Sequence, residues 1–218
     1  MSDRKEIFLM FSEVVKKTKE YGESLKSTYN LKEDDLFNPF GGLHNIMQVN
    51  RDTIDMWFEY WESEKGRHFM LNQGALAHVI QQQNEERVIH LNRMTYIQAM
   101  SCIEYSLKRN IHNYPNIIGN CKNHTGKIYL YKIIKESKNK ELIDTLAEEL
   151  WNQSIFLRND LVHNNGISSE SSVTEFPRIR LEKKREEMTQ GNLKLFPYLI
   201  DWLVDSTYQW FDEFHTRR

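Results

Sequence analysis

Apolar positions recur at helical intervals along most of this chain. Ile7, Met10, Phe11, Val14 and Val15 fall three and four apart, which predicts an amphipathic helix over residues 3–28 whose second half turns lysine-rich. Asn38-Pro39-Phe40-Gly41-Gly42 reads as a linker or tight loop, because proline fixes φ and glycine frees the backbone. Helical spacing resumes at Leu43 and runs through Ile46, Met47, Asn50, Ile54, Trp57, Phe58 and Trp61, with an end expected near Gly66. Residues 67–114 hold no proline and only Gly74. One helix of that length would reach about 70 Å at 1.5 Å per residue, too long for a small domain, so a break is expected over 84–88. Residues 114–126, with Pro115, Gly119, Gly126 and asparagines at 113, 116, 120 and 123 in or beside them, favour turns. Helix is expected again from Lys127 to about Lys135.

The clearest pattern lies over 140–164. Ile143, Ala147, Leu150, Ser154, Leu157 and Leu161 alternate spacings of four and three, and Asn165-Gly166 stands where a left-handed cap is wanted. Beyond it, 167–191 mixes serine-rich turn chemistry with Val173-Thr174-Glu175-Phe176 and Arg178-Ile179-Arg180-Leu181, which suit either two short strands or an irregular loop. A last helix from Pro197 aligns Leu199, Leu203, Trp210 and Phe214 on one stripe, with Ile200, Val204 and Phe211 beside it. So wide a face requires deep burial or an interface; a symmetry mate or the N-terminal helices, through Val14, Trp57 and Trp61, are the two candidates to cover it. The expected architecture is an all-α helical bundle with an N-terminal helical extension over 1–87 and the main helical domain over 88–218, the two packed as one unit.

Composition sharpens this picture. Glycine and proline supply only 13 of 218 residues, which suits long helices. No run of 18 apolar residues is present, so no membrane contact is expected. Two cysteines cannot build a disulfide framework, and Met1-Ser2-Asp3-Arg4-Lys5-Glu6 lacks the apolar stretch of a secretory leader, so the expected location is the cytoplasm. With 29 basic and 31 acidic side chains the net charge is −2, so attraction for nucleic acid has to be local.

Chemistry concentrates in Leu157-Arg158-Asn159-Asp160-Leu161-Val162-His163-Asn164-Asn165-Gly166, where a cation, a carboxamide, a carboxylate and an imidazole crowd the end of a core-forming helix. The negative end of the helix dipole favours a protonated His163, which suits acid–base work near neutrality. Arg158-Asn159-Asp160-Leu161-Val162-His163 resembles the Arg-x4-His motif of the HEPN superfamily, with Asn159 in the polar position after the arginine. The helix around Glu104 and the aromatic final helix resemble other helices of that fold, so the likeness covers about residues 88–215. The resemblance implies a metal-independent endoribonuclease, a toxin or phage-defence effector, in which the ribose 2′-hydroxyl attacks the adjacent phosphate. It makes Arg158, Asn159 and His163 catalytic and Glu104, Asp160 and Asn164 supporting, and implies a homodimer that brings two motifs to one cleft and a neutralising antitoxin protein as a possible partner. A non-catalytic HEPN-like module that binds RNA or protein is the alternative. Without the resemblance, Arg158 and Asp160 read as surface ion-pair partners and His163-Asn164 as an ordinary cap.

Other residues are less specific. Glu104, seven residues from both Ile97 and Ile111, sits on an apolar face and needs a partner, for which Arg158 is the candidate; an exposed or water-satisfied carboxylate is the other possibility. Arg178, Arg180, Lys183, Lys184 and Arg185, five cations in eight residues, form a candidate RNA patch or a solvated loop. Tyr29, Phe37, Phe40 and the C-terminal tryptophans can stack on bases, though such spacing also fits a core. Cys121-x2-His124 has no second pair to complete a zinc site, so neither metal nor cofactor is expected. His44, His78, His90 and His112 carry no assigned role.

Overall fold

Helix starts and stops follow local chemistry that periodicity alone does not reveal. A computed structural model of the chain describes residues 2–31, 38–114, 116, 121, 126–189 and 192–217. The first helix, α1, spans Ser2–Tyr29 and buries Ile7, Phe11, Val14 and Leu25. The second, α2, spans Phe40–Glu62 and begins three residues earlier than expected. Pro39 is its N-cap, Asn38 Oδ1 accepts from the Phe40 N–H at 3.0 Å, and Gly41 and Gly42 lie in the first helical turn. Gly42 is needed there for close approach: a Cβ would fall 2.7 Å from Cys102 Sγ.

Ser63 ends α2 and caps α3 (Glu64–Asn72) by accepting from the Gly66 N–H at 3.1 Å, so the helix expected to reach Gly66 is two. The expected break at 84–88 is absent. It falls at Gly74, which takes φ +53° in a short 3₁₀ turn, after which α4 runs unbroken over Ala77–Asn113. Asn84 and Val88 are buried on its inner face, which favours continuity there. Residues 87 and 88, the expected unit boundary, therefore lie inside one helix, and a single buried cluster runs from Ile7 to Phe214.

Further on, α5 spans Leu130–Asn139 and α6 spans Thr145–His163. Asp144 sets the start of α6, its carboxylate accepting from the Ala147 N–H at 2.7 Å. The segment after α6 is a hairpin rather than an irregular loop. Strands β1 (Ser172–Phe176) and β2 (Ile179–Lys183) pair antiparallel from Ser172 opposite Lys183 to Phe176 opposite Ile179, with Pro177 and Arg178 (φ +70°) making the turn. Finally α7, Leu195–Thr216, starts two residues before Pro197, which sits in its first turn. Among the described residues the fold is an all-α bundle of seven helices with one two-stranded sheet.

The apolar stripe of α7 is covered from within. Leu199, Leu203, Trp210 and Phe214 are each no more than 1% exposed, so this face offers nothing to a symmetry mate. Their cover includes α4 and α5: Trp210 Nε1 donates to Ser137 Oγ of α5 at 2.7 Å, and the Phe214 ring lies 6.3 Å from that of Tyr114 at the end of α4. The other side of α7 meets α1, which runs parallel to it along a polar seam: Lys17 pairs with Asp201 and Asp205 at 2.6 and 2.8 Å, the Tyr21 hydroxyl donates to Asp205 at 2.8 Å, and the Tyr29 hydroxyl donates to Asp212 at 2.8 Å. Trp57 and Trp61 lie instead beside Asn84 and Val88 of α4, with the Arg87 guanidinium 5.7 Å from the Trp57 ring. No helix among the described residues is long and apolar enough to cross a membrane.

Candidate functional site

Helix α6 carries its apolar side into the core through Leu150, Trp151, Ile155 and Leu157, which leaves Arg158 and Asn159 half-buried at its edge. The buried Tyr96 hydroxyl donates to the Ser154 carbonyl at 2.9 Å, tying α6 to α4, and burial pushes that phenol well above its usual pKa. The helix ends at His163 because the chain turns left-handed: Asn165 takes φ +54° and Gly166 φ +85°, and the Asn164 and Gly166 N–H groups both donate to the Asp160 carbonyl, at 3.0 and 2.8 Å. The imidazole is thereby delivered to the surface, exposed and with no partner among the described residues.

Three elements enclose an open groove of about 660 Å³ against this helix end. Helix α4 contributes Met100, Glu104 and Lys108; residues 127–131 contribute the approach to α5 and its first turn; α6 contributes Ile155, Arg158, Asn159 and His163. Arg158 Nη2 donates to Glu104 Oε2 at 3.1 Å and Nη1 to Asn159 Oδ1 at 3.2 Å, while Nε is buried without a partner. Lys108 Nζ holds the other Glu104 oxygen at 2.5 Å. Among the described lining residues Lys108, Lys127 and Arg158 set three permanent cations against one carboxylate, so the groove is locally positive in a chain whose net charge is −2. The N-terminal end of α5, at residues 129–131, adds the positive pole of its dipole.

The structure thus brings Arg158, Asn159, His163 and Glu104 together. It takes Asp160 and Asn164 elsewhere. Asp160 is 2% exposed and turned inward, accepting from Ser169 N and Oγ at 3.3 and 3.0 Å, from Asn164 Nδ2 at 3.3 Å and from Lys183 Nζ at 3.4 Å. These contacts dock the hairpin on the end of α6.

The five-cation patch does not survive as a positive surface. Strand alternation turns Lys183 into the interior, its side chain fully buried, and carboxylates face the other four: Arg178 meets Asp201 at 3.5 Å, Arg180 Glu175 at 3.5 Å, Lys184 Glu187 at 4.0 Å and Arg185 Glu186 at 3.6 Å. None lines the groove. Of the rings that suit either stacking or a core, Phe40, Trp202 and Trp210 are buried in the core and Tyr29 is bound to Asp212. Phe37 and His124 lie outside the described residues. Burial pushes the Cys121 thiol up to about 11, and no group of three metal-binding side chains occurs among the described residues. Sequence reasoning missed Lys108, Lys127, Tyr129 and Tyr131; the one signal for Lys108 was its place four residues after Glu104, while the tyrosines lay in a stretch read only as the start of a helix.

Compared with known proteins, the chain matches no family model, no curated protein and no solved structure.

Proposed function

We propose that the groove is the RNA site of a metal-independent, HEPN-type endoribonuclease. The observation that carries this reading is the convergence of Arg158, Asn159 and an unpartnered His163 on one locally positive groove. In the proposed reaction the ribose 2′-oxygen attacks the adjacent phosphorus, its proton passes to an imidazole, and the bond to the 5′-oxygen breaks as that oxygen takes a proton, leaving a 2′,3′-cyclic phosphate and a 5′-hydroxyl. His163 moves the proton. Arg158 stabilises the charge that builds on the equatorial oxygens, and Glu104 and Asn159 hold its planar donors in place. Asp160 and Asn164 act through the helix end that presents His163.

The described lining of the groove holds one imidazole, so the reading extends to a homodimer in which a second copy supplies the other proton carrier. A cytoplasmic role as a toxin or defence effector, with an antitoxin as partner, follows from the same resemblance. The test is incubation of purified protein with mixed tRNA, mRNA and ribosomal RNA in EDTA. The intact chain cleaves, and His163→Ala and Arg158→Ala lose about 100-fold or more; equal products from all three overturn the reading. One observation favours a non-catalytic RNA- or protein-binding module instead: the Arg158 guanidinium is already engaged by Glu104. That module binds in the same groove with no cleavage in the same assay.

A further inference from the structure

Tyr129 enters α5 with extended backbone, at φ −110° and ψ 141°, and Tyr131 lies in the first turn of that helix. Ile128 is half-buried and Leu130 is 6% exposed, whereas Tyr129 and Tyr131 stand outward at 42% and 49%. Their rings lie 5.9 Å apart, tilted by 32°, on the wall of the groove that holds Arg158 and His163. The hydroxyls of Tyr21, Tyr29, Tyr96 and Tyr198 all bond to other residues of the fold; those of Tyr129 and Tyr131 have no partner among the described residues. Packing does not require this pair where it stands.

We propose that Tyr129 and Tyr131 form a stacking platform for one unpaired base of an RNA strand whose phosphate lies against Arg158. The inference rests on the RNA reading above and adds to it the form of the strand and the residues that select it. An aromatic face accepts any base, but only a base freed from pairing can lie on it, and the cations at Lys108, Lys127 and Arg158 lie where the flanking backbone passes. The groove volume of about 660 Å³ falls within the range of ligand clefts, and its openness to solvent suits a strand that enters and leaves. A duplex, with its bases stacked on each other, has none to offer.

The probe is a 2′-fluoro RNA carrying 2-aminopurine, which keeps the shape of RNA and has no 2′-hydroxyl to attack. Its emission is quenched when the base stacks. Titration of the intact chain is expected to quench the single strand and to bind it at least tenfold more tightly than the same sequence in a duplex. Tyr129→Ala and Tyr131→Ala each weaken single-strand binding by about five- to a hundredfold, the range measured for base–aromatic stacking. Tyr129→Phe and Tyr131→Phe stay within about twofold, since the ring and not the hydroxyl does the stacking. Both positions are exposed, so thermal melting of the alanine variants should equal that of the parent. Equal affinity for strand and duplex, alanine variants that bind like the parent, or no binding of the probe overturns the platform. Quenching by a chain that never cleaves natural RNA overturns the nuclease and leaves the platform standing. Cleavage by a chain whose double alanine variant still binds the probe like the parent overturns the platform alone.

Discussion

Lys183 Nζ lies 3.4 Å from Asp160 Oδ2, with 0% and 3% of their side chains exposed, so a hairpin lysine neutralises the carboxylate inside the Arg158–His163 segment. Breaking such a pair by removing one partner strands a buried charge and costs about 3–5 kcal/mol. Lys183→Ala is expected to lose stability of that order in urea unfolding. Lys183→Met combined with Asp160→Leu should recover most of the loss, because an apolar pair leaves no charge to satisfy. A loss below about 1 kcal/mol for Lys183→Ala would show that Ser169 and Asn164 suffice for Asp160.

The seam between α1 and α7 makes the fold alkali-sensitive. Burial of Lys17 pulls its pKa down, but its hydrogen bonds and charge attraction to Asp201 and Asp205 outweigh this and hold it above 10.5. Burial, then the bond to Asp205, pushes Tyr21 from 10.0 up to about 12. Both groups keep their proton longer in the folded state, so their contribution is complete below the unfolded pKa values and is lost as pH rises through the folded ones. Urea midpoints should hold between pH 7 and 9 and fall above pH 10. Tyr21→Phe should fall less steeply over pH 10–12; an unchanged slope would remove Tyr21 from the account.

Legibility in the sequence tracked how local each cause was. The register of α6 and its left-handed end at Asn165-Gly166 could be read because both depend on neighbours within one helical turn. The start of α2 was misread, since Pro39 and Asn38 together cap a helix whose first turn tolerates two glycines that otherwise signal a loop. The fate of Lys183 was hidden because its partner lies 23 residues away, and a run of cations does not announce which member the strand turns inward. Glu104 and Arg158 were matched across 54 residues only because a carboxylate on an apolar face demands a cation. Nothing comparable marked Tyr129 and Tyr131, which stand at the N-cap and in the first turn of α5 with their rings outward.

Gly166 should be hard to replace. It adopts φ +85°, where an L side chain is strained, although a Cβ there would meet only ordinary contacts, with Arg93 Nη1 and Leu161 Cδ2 at 3.7 Å. The penalty for Gly166→Ala is therefore conformational, about 1–2 kcal/mol. Gly166→Asn should cost less, because Asn tolerates the left-handed region. Urea unfolding of the two variants tests the order; equal losses would place the cause in packing.

Glu104 is expected to pull binding and catalysis in opposite directions. It is the one carboxylate among the described groove-lining residues, and Arg158 and Lys108 share it. Glu104→Gln removes a negative charge from the wall, which should tighten binding of a non-cleavable RNA by about fivefold, corresponding to roughly 1 kcal/mol of Coulomb repulsion relieved across a few ångströms in a solvated groove. The same change weakens the acceptor that fixes the Arg158 guanidinium. A misdirected guanidinium meets the phosphate less often in the productive geometry, so kcat should fall by about tenfold or more. Single-turnover cleavage and equilibrium titration separate the two effects. Weaker binding by Glu104→Gln would mean that the carboxylate orders the groove more than it opposes the phosphate, and an unchanged kcat would mean that Asn159 alone suffices to aim Arg158.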